Sequence, residues 1–309
     1  MIRAILDIIC LGEPLYELNQ QPDGRFLPGF GGDTSNVAIA AARLGARTGV
    51  IALLGADLFG DALLDLWRGE GVDVTHVRRL DTAPTGVYFV THSPTGHAFT
   101  YLRAGSAASR ITPQDIPPEA IARTQFLHVS AISQAISVSA ADTVSHAMGL
   151  ARSAGARLSY DTNLRLRLWP LDRARAVITA SAAVADILKT SREDAEVLTG
   201  LAEPNAIAEH FLNLGSRAVI VTLGLAGALL LTHDLRQAIP AYPAQTVDAT
   251  GAGDAFTGAL LSEFCAGRSL SEAAHFASAA AALSTNGYGA VGPLPRRDAV
   301  TALLESGSG

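Results

Sequence analysis

Short apolar runs alternate with stretches whose apolar residues fall three and four apart along most of this chain. The runs at 8–11, 48–54, 126–129, 157–160, 186–189 and 218–222 predict strands. Helical spacing covers 34–44, 59–70, 138–154, 172–184, 192–199 and 204–214 between them, then 253–266, 270–285 and 296–304 in the last third. Such alternation predicts an α/β fold with a mostly parallel sheet covered by helices on both faces. Two segments, 14–30 and 72–103, break the rhythm and read as short strands joined by turns. In the second, strand-like residues at 85–91 and 98–103 flank a turn at 93–96, and alternation puts Phe99, Tyr101 and Arg103 on one face. The expected organisation is an α/β body of residues 1–13, 31–71 and 104–305, with a small β-sheet lid from 14–30 and 72–103. Beyond it the tail at 306–309 reads as frayed.

Composition narrows the class. Over 309 residues, 49% are hydrophobic and 17% charged, enough apolar material for a large core. A net charge of −6 without a dense Lys/Arg block speaks against a nucleic-acid surface. Two cysteines, Cys10 and Cys265, form no disulfide framework, and no run of about 18 apolar residues predicts a membrane span. The opening segment lacks a signal-peptide pattern. The expectation is a cytoplasmic protein. Lys189 is the chain's sole lysine and has no glycine nearby, so neither a P-loop nor a protein-kinase lysine motif is present.

The most informative stretch is Asp248-Ala249-Thr250-Gly251-Ala252-Gly253-Asp254-Ala255-Phe256. Small residues there precede an acid, and Phe256, Leu260 and Phe264 continue at helical spacing, so the helix begins in bare backbone. Free amides and the helix dipole favour an anion at such a terminus. An acid beside that anion is poised to take a proton, as phosphoryl transfer to a hydroxyl requires. Helix capping by Asp254 is the plainer alternative.

Further along the chain, Gly31-Gly32-Asp33-Thr34-Ser35-Asn36 precedes another helix. Asp33 or Thr34 would cap it, while the glycine pair and Asn36 suit close approach of a polyol. The third glycine of a dinucleotide fingerprint is replaced by Thr34. Asp161-Thr162-Asn163-Leu164-Arg165 follows a strand, where ligands bind in open α/β sheets. Thr222-Leu223-Gly224-Leu225-Ala226-Gly227 follows another, as a turn or a nucleotide-facing loop. No histidines are spaced as a metal cluster, His128 reads as core, and no Gly-x-Ser-x-Gly elbow occurs.

Taken in order, these motifs resemble the ribokinase-like (PfkB) family of carbohydrate kinases over essentially the whole length. Within it, Gly12-Glu13-Pro14, the stretch from Tyr101 and Arg103 to Ala107, and Asp161-x-Asn163-x-Arg165 are most similar to 2-keto-3-deoxygluconate kinases. The resemblance implies that Asp254 is the base and that Gly251, Ala252 and Gly253 form an anion hole for the transferring phosphoryl group. Gly32, Asp33, Asn36, Tyr88, Tyr101, Arg103 and Arg165 would hold a sugar or sugar acid. ATP would be bound by Ser191, Thr222, Gly224, Gly227, Gly251 and Gly253, with Mg²⁺ near Asp194 and a monovalent cation such as K⁺ organised by Asp248. The implied reaction is phosphorylation of 2-keto-3-deoxygluconate at its terminal hydroxyl, with fructokinase or another PfkB sugar kinase as the alternative.

The sequence departs from the family pattern in two places. The Asn-x-x-Glu element appears as Ser191-Arg192-Glu193-Asp194, and no acid occurs near Asn286-Gly287-Tyr288, where similar kinases carry one facing the substrate. A rival from another class is a Schiff-base aldolase using Lys189, alone at a strand end; a silent sugar-binding relative is argued against by Asp254. A small lid sheet leaves one face to be covered, so a homodimer through Val87, Phe89, Ala98 and Leu102 is expected.

Overall fold

The computed structural model describes residues 6–93 and 96–306. In chain order its strands are β1 (Leu6–Leu11), β2 (Leu15–Gln20), β3 (Phe26–Gly31), β4 (Thr48–Gly55), β5 (Asp73–Leu80), β6 (Val87–Ser93), β7 (Gly96–Leu102), β8 (Thr124–Ser130), β9 (Arg157–Asp161), β10 (Ile187–Ser191), β11 (Ala218–Thr222), β12 (Ala228–Thr232) and β13 (Arg236–Ile239). The helices are α1 (Asp33–Arg43), α2 (Leu58–Gly69), α3 (Pro118–Ala122), α4 (Ala131–Ala135), α5 (Val138–Ala154), α6 (Leu171–Ala182), α7 (Arg192–Thr199), α8 (Pro204–Leu214), α9 (Ala252–Cys265), α10 (Leu270–Ser284) and α11 (Arg297–Ser306).

A nine-stranded sheet runs in the order β13-β12-β11-β10-β9-β8-β1-β4-β5. Pairing is parallel except where β12 meets β11 and β13. Side-chain alternation sends successive residues to opposite faces, and both faces are packed. Ile9, Leu127, Leu158 and Val219 enter one core cluster with residues of α5, α6 and α8. Ile8, Phe126, Ile187 and Ile220 enter the other, with α1, α9 and α10. The expected two-faced α/β architecture is present, and each predicted long helix appears within a few residues of its expected ends. Against it, β2, β3, β6 and β7 make a separate four-stranded sheet in the order β3-β2-β6-β7. No helix among the described residues is long and apolar enough to cross a membrane.

Three expectations change. Residues 73–80 of the expected lid segment join the large sheet as β5, paired in parallel with β4. Helix α2 is the crossover that returns the chain to that sheet, so the chain re-enters the small sheet only after β5. Strands β12 and β13 were not anticipated: a hairpin turns the sheet's edge antiparallel directly after the 222–227 loop. Asp33 does not cap α1; the cap position is Gly32, with no side-chain cap bond, and Asp33 opens the helix. The turn expected at 93–96 includes residues 94 and 95, and the tail at 306–309 includes 307–309; both fall partly outside the described residues.

Candidate active site

The polar residues of interest gather at the carboxyl ends of β1, β9, β10 and β11, where the order of strands reverses around β1. Helix α9 starts from Gly251 at φ 78°, a left-handed conformation suited to glycine, and its first turn has no side-chain cap. Ala252 N–H turns back to Ala249 O at 3.2 Å, so the open donors are the amides of Gly253 and Asp254. Ala252 is therefore less available as an anion-hole donor than Gly253 and Asp254. Upstream, the Asp248 carboxylate accepts Thr250 N at 2.9 Å, Thr250 Oγ1 at 2.7 Å and Gly289 N at 3.0 Å, tying two loops together.

Asp254 sits in the first turn of α9 and is buried. Its Oδ2 accepts Asn36 Nδ2 from α1 at 2.8 Å, and Asn36 Oδ1 is buried without a partner. Burial, and after it the charge of Asp33, push the Asp254 carboxyl up to about 7. Helix α1 is placed by Gly32 at φ 99°, where a Cβ would lie 2.4 Å from Glu13 O. The two helices meet at Gly258, whose added Cβ would fall 2.6 Å from Ala40 Cβ. Small residues are what let Asn36 and Asp254 meet.

A second group comes from β9 and β10. Asp161 accepts Asn163 N at 3.1 Å and binds Lys189 Nζ at 2.8 Å. Asn163, at φ 22°, donates through Nδ2 to Asp33 Oδ2 at 2.9 Å. Burial opposes the charge on Lys189, yet Asp161 above all, with Asp254 and Asp194, holds its proton more tightly than usual. A Schiff base needs the neutral amine, and the sheet is open where the aldolase rival would need a barrel, so that rival fails on both counts. His128 is buried against Ser159 Oγ at 3.0 Å, and burial pushes it down to about 4, in keeping with a core histidine.

Ser191 and Thr222 are register partners at the ends of β10 and β11. Ser191 Oγ caps α7 by accepting Asp194 N at 3.0 Å. Asp194 Oδ2 in turn accepts Leu164 N at 2.9 Å, and burial raises its carboxyl above the usual range. Gly224 opens a single 3₁₀ turn ending at Gly227, with Leu225 at its tip 93% exposed.

From the small sheet, Tyr88 donates to the buried Glu17 carboxylate and stacks on Tyr101 at 5.7 Å between centroids. Arg103 pairs with the fully buried side chain of Glu13, which also accepts Ser106 Oγ at 2.9 Å; Arg103 Nε is left without a partner. Arg165 is exposed, with Nη1 on the Leu164 carbonyl at 2.8 Å. Sequence reasoning missed Glu17 as a site residue. Its signal was alternation, since Glu17 shares a strand face with Leu15, and an acid beside a core leucine is not solvated. A Cβ on Gly289 would lie 3.9 Å from Glu17 Oε1, so this acid faces the loop that lacks one of its own.

A family model described as pfkB family carbohydrate kinase matches residues 6–297. The chain is 34% identical to the 2-dehydro-3-deoxygluconokinase of Thermoproteus tenax over 315 residues, covering 98% of this chain and 96% of that protein. It is 38% identical to fructokinase-1 of Oryza sativa subsp. japonica over 291 residues, covering 91% and 90%. Among solved structures, a fructokinase from Vibrio cholerae O395 with fructose, ADP and calcium ion bound superposes at a TM-score of 0.87 with 28% identity, covering 97% of this chain and 99% of that one.

Proposed function

The chain belongs to the pfkB family of carbohydrate kinases, and from that premise we propose that it moves the γ-phosphoryl group of ATP to the terminal hydroxyl of 2-keto-3-deoxygluconate. An ATP-dependent phosphotransferase acting on a sugar hydroxyl is what the family and its relatives support; the acceptor is our reading. The observation that carries it is the buried Asp254 at the uncapped start of α9, facing an Asn36 whose Oδ1 lacks a partner. An acceptor hydroxyl placed there gives its proton to Asp254, and a neighbouring hydroxyl of the same sugar donates to Asn36 Oδ1. Its oxygen then bonds to the γ-phosphorus, the bond from that phosphorus to the bridging oxygen breaks, and ADP leaves with the electron pair. The amides of Gly253 and Asp254, with the dipole of α9, face the charge that develops.

Thr222, Gly224 and Gly227 would line the nucleotide site at the end of β11. A divalent ion fits as a phosphate-held Mg²⁺ with Asp194 as its carboxylate, since Mg²⁺ commonly takes one or two carboxylates alongside phosphates and water. Among the described residues no cluster of three or more His, Cys, Asp or Glu offers a protein-only cage. When bound, the ion offsets phosphate charge. A monovalent cation would sit where Asp248 ties its two loops, and the K⁺ dependence of kcat tests it. We place the enzyme in the cytoplasm, in keeping with its free cysteines, and assign the outer face of the small sheet to a homodimer.

The carboxylate of the acceptor is assigned to Arg165, with Arg103 Nε as a second donor, because guanidinium matches carboxylate in charge and geometry. A second reading, fructose, is favoured by Glu13, which already neutralises Arg103, and by Glu17, an acceptor for hydroxyls. Arg165→Ala should lower kcat/KM for the keto-deoxy acid by about one to two decades, the cost of a charge-assisted contact, and barely change it for fructose. ATP consumption with both acceptors decides. A wild-type preference for fructose sinks the first reading and promotes the second.

A further inference from the structure

Lys189 is left over. No step above uses it, the Schiff-base role is excluded, and yet the chain's sole lysine is buried at the centre of the site. We propose that Lys189 is a positioning residue for phosphoryl transfer: Asp161 fixes its ammonium against Gly253, so that a positive charge stands behind the turn that receives the phosphoryl group. This rests on assigning the phosphoryl group to the turn at 251–254.

The placement follows from the strands. Lys189 and Asp161 are register partners on β10 and β9, so their side chains leave the sheet on the same face, toward α1 and α9. Nζ meets Asp161 Oδ2 at 2.8 Å, and the lysine side chain is 10% exposed. A Cβ added to Gly253 would lie 2.9 Å from that same Nζ. The ammonium therefore occupies the space a side chain would take at the second residue of α9, and glycine there is what admits it. The carboxylates acting on its charge are those of Asp161, Asp254 and Asp194.

Two further facts separate this from plain ion pairing. A buried ion pair seldom improves stability over apolar residues of similar volume, so its retention at the end of a core strand calls for another reason. The contact also falls on the residue whose amide is an open donor of α9, where the charge of a transition state accumulates. A fixed cation next to that amide strengthens the helix terminus as an anion site without itself needing to touch the nucleotide. Asp161 has a second task, since its other oxygen orders Asn163, and this sets the rival account: Lys189 would merely neutralise Asp161 so that the Asn163 turn forms.

The test uses the full chain and a neutral side chain of similar length. Lys189→Met should lower kcat on the order of 10²-fold, with KM for ATP and sugar within about threefold, the signature of a contact made in the transition state. Affinity for ADP with aluminium fluoride and sugar should fall by the same factor, while affinity for ADP alone holds. Because Lys189→Met leaves Asp161 uncompensated and can impair folding, Asp161→Asn and the double variant are measured beside it. The double variant removes the uncompensated carboxylate as well and should stay as slow as Lys189→Met. A double variant with turnover near wild type, or a folded Lys189→Met with normal turnover, overturns the proposal. Asp254→Asn is assayed in parallel: if it too keeps turnover, the fault lies with the assignment of the turn, and if it alone is inactive, only the role of Lys189 falls.

Discussion

Asp254 owes its raised proton affinity to burial first and to the negative Asp33 second. In the proposed role of base it must be ionised, so kcat/KM should decline below about pH 7, tenfold per unit, and level above it. Asp33→Asn removes the second largest of the causes that raise it and should move that acid limb to lower pH; a pH–rate profile of both proteins reads it. Stability runs the other way. The folded value lies above the unfolded one, so the protonated carboxyl supports the fold most fully below about pH 4 and loses that support as pH rises through 7. Asp254→Asn should therefore melt higher than wild type at pH 8, and the gain should shrink at pH 5, while kcat falls by on the order of 10²–10⁴. Unchanged turnover would sink the base assignment. Single residues such as Asp254, Gly32 and Asn36 were legible from local pattern because each sits at a helix start. Their meeting was not, since Asn36 and Asp254 are 218 positions apart. The pairing of Glu13 with Arg103 escaped for the same reason: an acid and an arginine 90 residues apart give no local sign that one will neutralise the other.

Helix α9 illustrates how an element carries the site. It packs on α1 through Gly258, where an added methyl would meet both Ala40 Cβ and, at 2.8 Å, Val37 O. Gly258→Ala should therefore cost about 1–3 kcal/mol of stability, the usual penalty of overpacking, and lower kcat by parting Asn36 from Asp254. Thermal melting and steady-state kinetics check the two effects together. Gly149 on α5 is the control, exposed and with nothing within 4 Å of an added Cβ. There Gly149→Ala should add about 0.4–1 kcal/mol and leave kcat alone. Elements of this kind were well predicted because helical and strand periods are written into amphipathic faces. Strand β5 was placed with the lid because no helical pattern separates it from the strands that follow; parallel pairing with β4 depends on the α2 crossover, which periodicity does not encode. Likewise 229–231 offers three leucines in a row, which mark a buried segment but not its direction.

At the scale of the whole molecule the small sheet turns one face inward, with Glu17, Tyr88, Val90 and Tyr101, and the other outward. Phe26 and Leu102 on the outer side are 41% and 62% exposed, and Phe26 packs edge-on against Phe89 at 5.5 Å. Val87, expected among them, is buried at the base of the sheet. With a homodimer assigned to this face, Leu102→Glu should turn dimer into monomer in light scattering at micromolar concentration, and a wild-type monomer would end the idea. The sheet is also not one piece of chain. Strand β2 lies beside β6 in parallel, while β4 and β5 of the large sheet, joined by α2, come between them in sequence. No excerpt of the sequence can thus form the small sheet alone, and its central pairing must wait until the intervening body has brought both halves together. Refolding should accordingly show two stages: Trp67 and Trp169, both in the body, recover their buried fluorescence first, and amide protection along β2 and β6 follows. In the native protein the order reverses, so the small sheet is the first part to open in hydrogen exchange, and if it covers the sugar as proposed, a bound acceptor should slow that opening before it slows any other.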